Sequence, residues 1–172
     1  MAGLIHLYCG DGKGKTSAAV GLAVRASGAG QQVVFTQFFK DGSSSEIDSL
    51  KRLPGIRTIH ANTVKGFYHA MTPEQREQAR EDYKALFRQA ADAARDADLL
   101  ILDEIASACN RGVVPETLVT DFLRCKPQKL EVVLTGRDPS PALTELADYI
   151  TEMRKLRHPF DRGIPARKGI EF

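Results

Sequence analysis

One turn constrains this chain more than any other segment: Cys9-Gly10-Asp11-Gly12-Lys13-Gly14-Lys15-Thr16. It follows the apolar run Leu4–Tyr8 and precedes a helix-like run from Ser17 to Ala29. Strand, glycine-rich turn, Gly-Lys-Thr and helix in that order form a phosphate-binding loop. Small residues let backbone N–H groups converge on phosphate oxygens, and the helix N-terminus adds partial positive charge. Lys15 would neutralise phosphate, and the Thr16 hydroxyl would ligate Mg²⁺. Cys9 stands where the common pattern has its first glycine. Gly10 and Gly12 lie inside the turn, and Lys13 adds a second cation. The plainer alternative is a basic surface turn, but the flanking strand and helix favour a nucleoside triphosphate site.

The rest of the chain supplies a matching frame. Gln32–Phe39 reads as a second strand, Glu46–Arg52 as a short helix and Ile56–His60 as a third strand. Thr72 caps a helix that has Pro73 at its first position and runs to about Arg95. Leu99–Leu102 is a buried strand, Pro115 opens a helix ending near Arg124, and Glu131–Thr135 is another strand. Pro141–Ala147 reads as helix and Tyr149–Met153 as a last strand. Alternating strands and helices predict an α/β, three-layer P-loop NTPase-like fold with a mainly parallel sheet. At 172 residues, with no repeat or linker, residues 1–172 read as one domain.

Ligands of such sheets sit at the carboxyl ends of the strands. The phosphate loop, Asp103-Glu104 and Gly136-Arg137 all fall there. Leu99-Leu100-Ile101-Leu102-Asp103-Glu104 is a Walker B pattern: four apolar residues bury the strand and an acid at its end faces the metal on the triphosphate. Asp103 and Glu104 are both candidate Mg²⁺ ligands, and the sequence leaves open which touches the metal directly. Arg137 is a candidate phosphate or ribose contact. Arg25, inside the apolar run of the first helix, reads as structural. Lys65-Gly66-Phe67-Tyr68-His69 places adjacent aromatics in a segment without period, which suggests packing or a flat apolar ligand.

Composition excludes several classes. A net charge of +2 gives no nucleic-acid signature. Cys9, Cys109 and Cys125 are scattered, with no Cys-x-x-Cys pair for a zinc ribbon. Free thiols, an early first strand and no long apolar run suggest a cytoplasmic protein without signal peptide or membrane span. Cations crowd the C-terminal end at Arg154, Lys155, Arg157, Arg162, Arg167 and Lys168. A solvated tail and an anion-binding tail both remain open.

With these residues in place, the chain resembles the P-loop class of ATP:corrinoid adenosyltransferases. The resemblance rests on Gly10 to Thr16, including the extra lysine and the missing first glycine, and on the helix with Ala18, Ala19, Gly21 and Arg25. It continues through Gln37-Phe38, Gly66-Phe67, Leu102-Asp103-Glu104 and Leu134 to Arg137. It ends with His158 to Ile164 and Ala166 to Glu171, and so spans Leu4 to Phe172. The resemblance implies that cobalt(I) of a reduced corrinoid attacks C5′ of ATP and that triphosphate leaves intact. ATP lies reversed in the loop of such enzymes. Gly10, Asp11, Gly12, Lys13, Gly14, Lys15 and Thr16 would cradle triphosphate, with Lys15 and Glu104 as catalytic residues. Thr16 and Glu104 would hold Mg²⁺. Phe67 matches an aromatic that displaces the lower axial ligand of cobalt(II), and His69 stands where many members carry Trp. An electron-donating flavoprotein, a homodimer and a role in adenosylcobalamin synthesis or salvage are implied. The rival readings are a P-loop ATPase, a small-molecule kinase and a non-catalytic carrier.

Overall fold

A computed structural model describes residues 2–40, 42–61 and 71–171. Six strands form a single parallel sheet: β1 (Ile5–Cys9), β2 (Val33–Gln37), β3 (Ile56–Ile59), β4 (Leu99–Asp103), β5 (Glu131–Thr135) and β6 (Tyr149–Glu152). Their order is β3-β2-β4-β5-β1-β6. β2 and β4 are buried along their whole length and β5 from Val132 onward, apolar except near their carboxyl ends, as parallel strands covered on both faces must be.

Two apolar layers cover the sheet. Ala19, Ala23 and Ala26 of α1 (Lys15–Gly28) and Ile47 and Leu50 of α2 (Ser45–Leu50) pack on Phe35, Ile101 and Val133. The opposite face carries α3 (Pro73–Ala93), α4 (Ile105–Asn110), α5 (Glu116–Cys125) and α6 (Pro141–Leu146). Tyr83, Leu86 and Phe87 of α3 are buried there against Val34, Leu100 and Leu102. Thr72 and Gln75 close a reciprocal capping box, which fixes the start of α3 where the sequence put it. A single 3₁₀ turn, Ala94–Asp96, ends that helix.

Most expected elements stand within one to two residues of their observed bounds. β2 is shorter than expected because Phe39 turns left-handed, with φ 59°. α4 was not expected at all. It follows β4 without a capping residue, and Ile105 to Cys109 are all buried, so no polar face gives it a helical period.

His60 closes β3. Neither ring nitrogen has a hydrogen-bond partner among the described residues, and the Gly42 backbone packs against the ring. Burial, with Lys51 nearby, holds its pKa below the ordinary histidine value. The folded state therefore favours neutral imidazole. The stability this contributes is fully present above about pH 6.5, the unfolded histidine value, and is lost as pH falls through the lowered folded value. Thermal melts from pH 8 to pH 5 should show this fall, and His60→Gln should flatten it. Parallel profiles for both proteins would contradict it.

Candidate functional site at the strand ends

The phosphate loop joins β1 to α1 and lies at the carboxyl end of the sheet. Lys15 is buried, and its Nζ donates to the carbonyl oxygens of Gly10 at 2.7 Å and Gly12 at 2.8 Å. Burial lowers the Lys15 pKa, while the Glu104 carboxylate works against that shift. Cys9 opens the turn as a packing residue: burial and the Glu152 carboxylate raise its thiol pKa, the reverse of an activated nucleophile. Burial pushes Cys109 up to about 12.

Asp103 is the hub of the site. It is fully buried at the end of β4. Its carboxylate accepts from Thr16 Oγ1 at 2.9 Å, Thr135 Oγ1 at 2.7 Å and Gln37 Nε2 at 3.1 Å. Lys40 Nζ adds a longer contact at 3.5 Å. The start of α1, the end of β2 and the end of β5 thus converge on the carboxylate that closes β4. Buried charge is tolerated only when paired and hydrogen-bonded in this way. The Asp103-Glu104 pair divides unequally. Asp103 bonds the loop threonine directly, whereas Glu104 is partly exposed and left-handed, with φ 64°. The Glu104 backbone N–H donates to Thr135 Oγ1 at 2.8 Å, so one hydroxyl ties both acids to β5.

The non-glycine residues with positive φ among those described are Phe39, Glu104 and Asp138. They follow β2, β4 and β5 respectively, all on the rim of this site. Each such residue costs on the order of 1–3 kcal/mol and persists where packing over-determines it. The Phe39 ring lies edge-on to Tyr83 at 5.5 Å, with the Arg111 guanidinium 4.8 Å over its centre.

Gly136 also needs its missing side chain. A Cβ there would lie 2.7 Å from Ser107 N, so glycine lets β5 close onto α4. Arg137 follows it, exposed, and its charge acts on Lys15 and Asp11. Arg137 is therefore near the loop, although its side chain makes no hydrogen bond or ion pair among the described residues. Arg25 lies away from the strand ends. It lines a cleft of about 450 Å³ at the amino ends of the strands with His6, Lys129 and Glu131.

The C-terminal segment is not a loose tail. Gly12 N donates to Met153 O at 2.6 Å, and Lys155 N donates to Asp11 Oδ1 at 2.8 Å. Lys13 Nζ reaches Ile170 O at 2.9 Å and Glu171 Oε1 at 3.2 Å. Arg167 hydrogen-bonds Glu171 and holds its carboxyl pKa down to about 2. The phosphate loop is thus strapped from outside by a segment far along the chain. A Cβ on Gly12 would fall 2.5 Å from Met153 O and 2.9 Å from Arg154 C, both backbone atoms. Gly12→Ala should therefore lift the strap and destabilise the fold by about 1–3 kcal/mol. An unchanged urea midpoint would show that the strap yields freely.

The structure thus brings Lys15, Thr16, Asp103, Glu104 and Arg137 to one place, with Gly10 to Gly14 forming the turn. Phe67 and His69 lie outside the described residues. Among the described residues, no cluster of three or more His, Cys, Asp or Glu side chains could hold a metal ion by itself. Gln37, Lys40 and Glu46 also belong to the site and were missed in the sequence. Gln37 Nε2 bridges Asp103 and Glu46, and Lys40 pairs with Glu46 at 3.1 Å. Gln37 ends β2 and stands in the sequence only as part of the Gln37-Phe38 pair of the resemblance, Lys40 follows that strand, and Glu46 lies in α2, where no local pattern marks it. Thr16, Ser17, Lys40, Glu46, Ser49 and Ile170 line a cleft of about 370 Å³ beside the loop.

The chain is similar to known proteins along its length. Residues 1–172 match the family described as ATP:corrinoid adenosyltransferase BtuR/CobO/CobP. A corrinoid adenosyltransferase of Pseudomonas aeruginosa is 35% identical over 173 residues, covering 99% of this chain and 84% of the relative. One from Escherichia coli is 33% identical over 172 residues, covering 99% and 86%. Among solved structures, a KaiC-like protein from Pyrococcus horikoshii superposes with a TM-score of 0.52 at 15% identity. It covers 91% of this chain and 75% of its own, and shows the fold alone.

Proposed function

The chain belongs to the ATP:corrinoid adenosyltransferase family, and we propose that the strand ends described above carry that reaction. The enzyme transfers the 5′-deoxyadenosyl group of ATP to cobalt(I) of a reduced corrinoid and releases triphosphate. The observation that carries the assignment to these residues is the Thr16–Asp103 bond beside a buried Lys15, in a chain matched to the family along its length.

The chemistry asks most of the leaving group. Cobalt donates an electron pair to C5′, the C5′–O bond breaks, and its electrons depart on a triphosphate oxygen. Groups that stabilise this developing charge lower the barrier. Lys15 turns from the loop carbonyls to phosphate, and the loop N–H groups hold the remaining oxygens. Arg137 adds a guanidinium at the rim. Mg²⁺ suits the hard oxygen donors at the end of β4. Thr16, Asp103 and Glu104 would hold it, and when bound it would neutralise phosphate charge. Thr135 fixes both acids for that purpose.

The corrinoid reaches the same strand ends, with Phe67 and His69 as its proposed lower-face contacts. Supply of electrons to cobalt falls to a flavoprotein partner, and the working enzyme is a homodimer. Among the described residues no helix is long and apolar enough to cross a membrane, and a cytoplasmic setting suits the free thiols.

The decisive experiment combines purified protein, Mg²⁺-ATP and chemically reduced cob(I)alamin under anoxic conditions. The expected result is a light-sensitive adenosylated corrinoid with stoichiometric triphosphate. Orthophosphate or ADP without a corrinoid change would instead assign the Asp103-Glu104 site to an ATPase or kinase.

A further inference from the structure

Lys40 has no part in the chemistry above, yet the fold spends a strained residue to place it. Phe39 breaks β2 by turning left-handed, and its ring is clamped between Tyr83 and Arg111. The next side chain is thereby folded back across the end of the sheet. Its ammonium lies 3.1 Å from Glu46 Oε1 and 3.5 Å from Asp103 Oδ2.

Neither carboxylate depends on it for hydrogen bonding. Asp103 already accepts from Thr16, Thr135 and Gln37, and Glu46 accepts from Gln37. Burial pushes the Glu46 pKa up, but its own backbone N–H, the Gln37 amide and Lys40 together hold it below the usual range. Among the described residues Lys40 is also the one cation lining the cleft that Thr16 and Ser17 share, and its side chain is 26% exposed.

We propose that Lys40 is a further substrate-binding cation of the site, held on Glu46 and Asp103 beside the phosphate loop and moving onto the leaving triphosphate. This rests on the adenosyl-transfer reading. As the cobalt–carbon bond forms and the C5′–O bond breaks, the electron pair of the broken bond stays with triphosphate. Lys40 meets that added charge from the β2 side, and Lys15 meets it from the loop side. A lysine suits this because its compact point charge, carried on a flexible four-carbon stem, can change partners. Glu46 is the counterweight: it holds the ammonium close without being a ligand of the substrate.

Calorimetric titration with inorganic triphosphate and Mg²⁺ tests this on wild type, Lys40→Met, Lys40→Arg and Glu46→Gln, with thermal melts confirming that each is folded. Lys40→Met should weaken triphosphate binding by about tenfold or more, the range of a lost charged hydrogen bond. Lys40→Arg should recover much of this, and Glu46→Gln should bind triphosphate as tightly as wild type or tighter. With cob(I)alamin, kcat of Lys40→Met should fall while KM for the corrinoid stays. Wild-type triphosphate affinity in Lys40→Met would overturn the proposal. So would equal losses in Lys40→Met and Glu46→Gln, which would make Lys40 a plug that neutralises acids. Wild-type protein that binds no triphosphate and transfers no adenosyl group would instead overturn the reading beneath it.

Discussion

Lys15→Ala should reduce adenosyl transfer from pre-reduced cob(I)alamin by about a thousandfold or more, the upper range for loss of one charge-stabilising donor. Two losses combine in that figure. The ammonium proposed to offset charge on triphosphate disappears, and the Gly10 and Gly12 carbonyls lose the donor that gathers the loop. Stability should change far less than activity. Lys15 is a desolvated cation whose pKa burial lowers, so the folded state already bears a cost for its charge. Removing it returns part of that cost. Lys15→Arg should rescue poorly, because a planar guanidinium does not fit a position with 7% exposure. Anoxic assays with ATP titration check this directly. Full activity in Lys15→Ala would remove the phosphate loop from the reaction.

What the sequence made legible follows the range over which its signals act. The phosphate loop, the caps of α3 and the span of β5 are written in adjacent residues, and the structure returns them nearly unchanged. The parallel sheet followed from alternation, and the meeting of loop, Asp103 and Arg137 followed from strand direction. Contacts between distant segments were not legible. Lys40 reads as an ordinary charge after a strand, because the turn that aims it is held by Tyr83 and Arg111 from α3 and the region after α4. The cationic tail left two readings open. Its contact with the loop joins Lys13 to Glu171 across 158 residues, a pairing no local pattern announces. Helix α4 escaped for another reason: a short helix buried from Ile105 to Cys109 carries no amphipathic period.

The same hub that gathers these distant segments is the place where one atom should matter most. Asp103→Asn keeps size and shape but exchanges an acceptor for a donor. The wild-type carboxylate accepts from Thr16, Thr135, Gln37 and Lys40 with no exposure to water. An amide oxygen can serve only part of that set, and the new NH₂ group faces other donors. The Lys40 ammonium then keeps Glu46 alone as its ionic partner. Loss of one partner from a buried polar network costs about 2–4 kcal/mol. A fall of that size in urea-unfolding free energy is expected. Activity should suffer more, by about a hundredfold or beyond, since on the proposed reading a metal-holding charge vanishes and Thr16 loses its orienting acceptor. The two effects separate in one series. Thr135→Val removes only the hydroxyl between Asp103 and the Glu104 backbone, so it should weaken the fold while leaving the Asp103 charge intact. If Asp103→Asn retained wild-type transfer at saturating Mg²⁺, the charge would be serving the fold alone. The metal would then answer to Glu104, the partly exposed acid held in its left-handed turn beside Lys15.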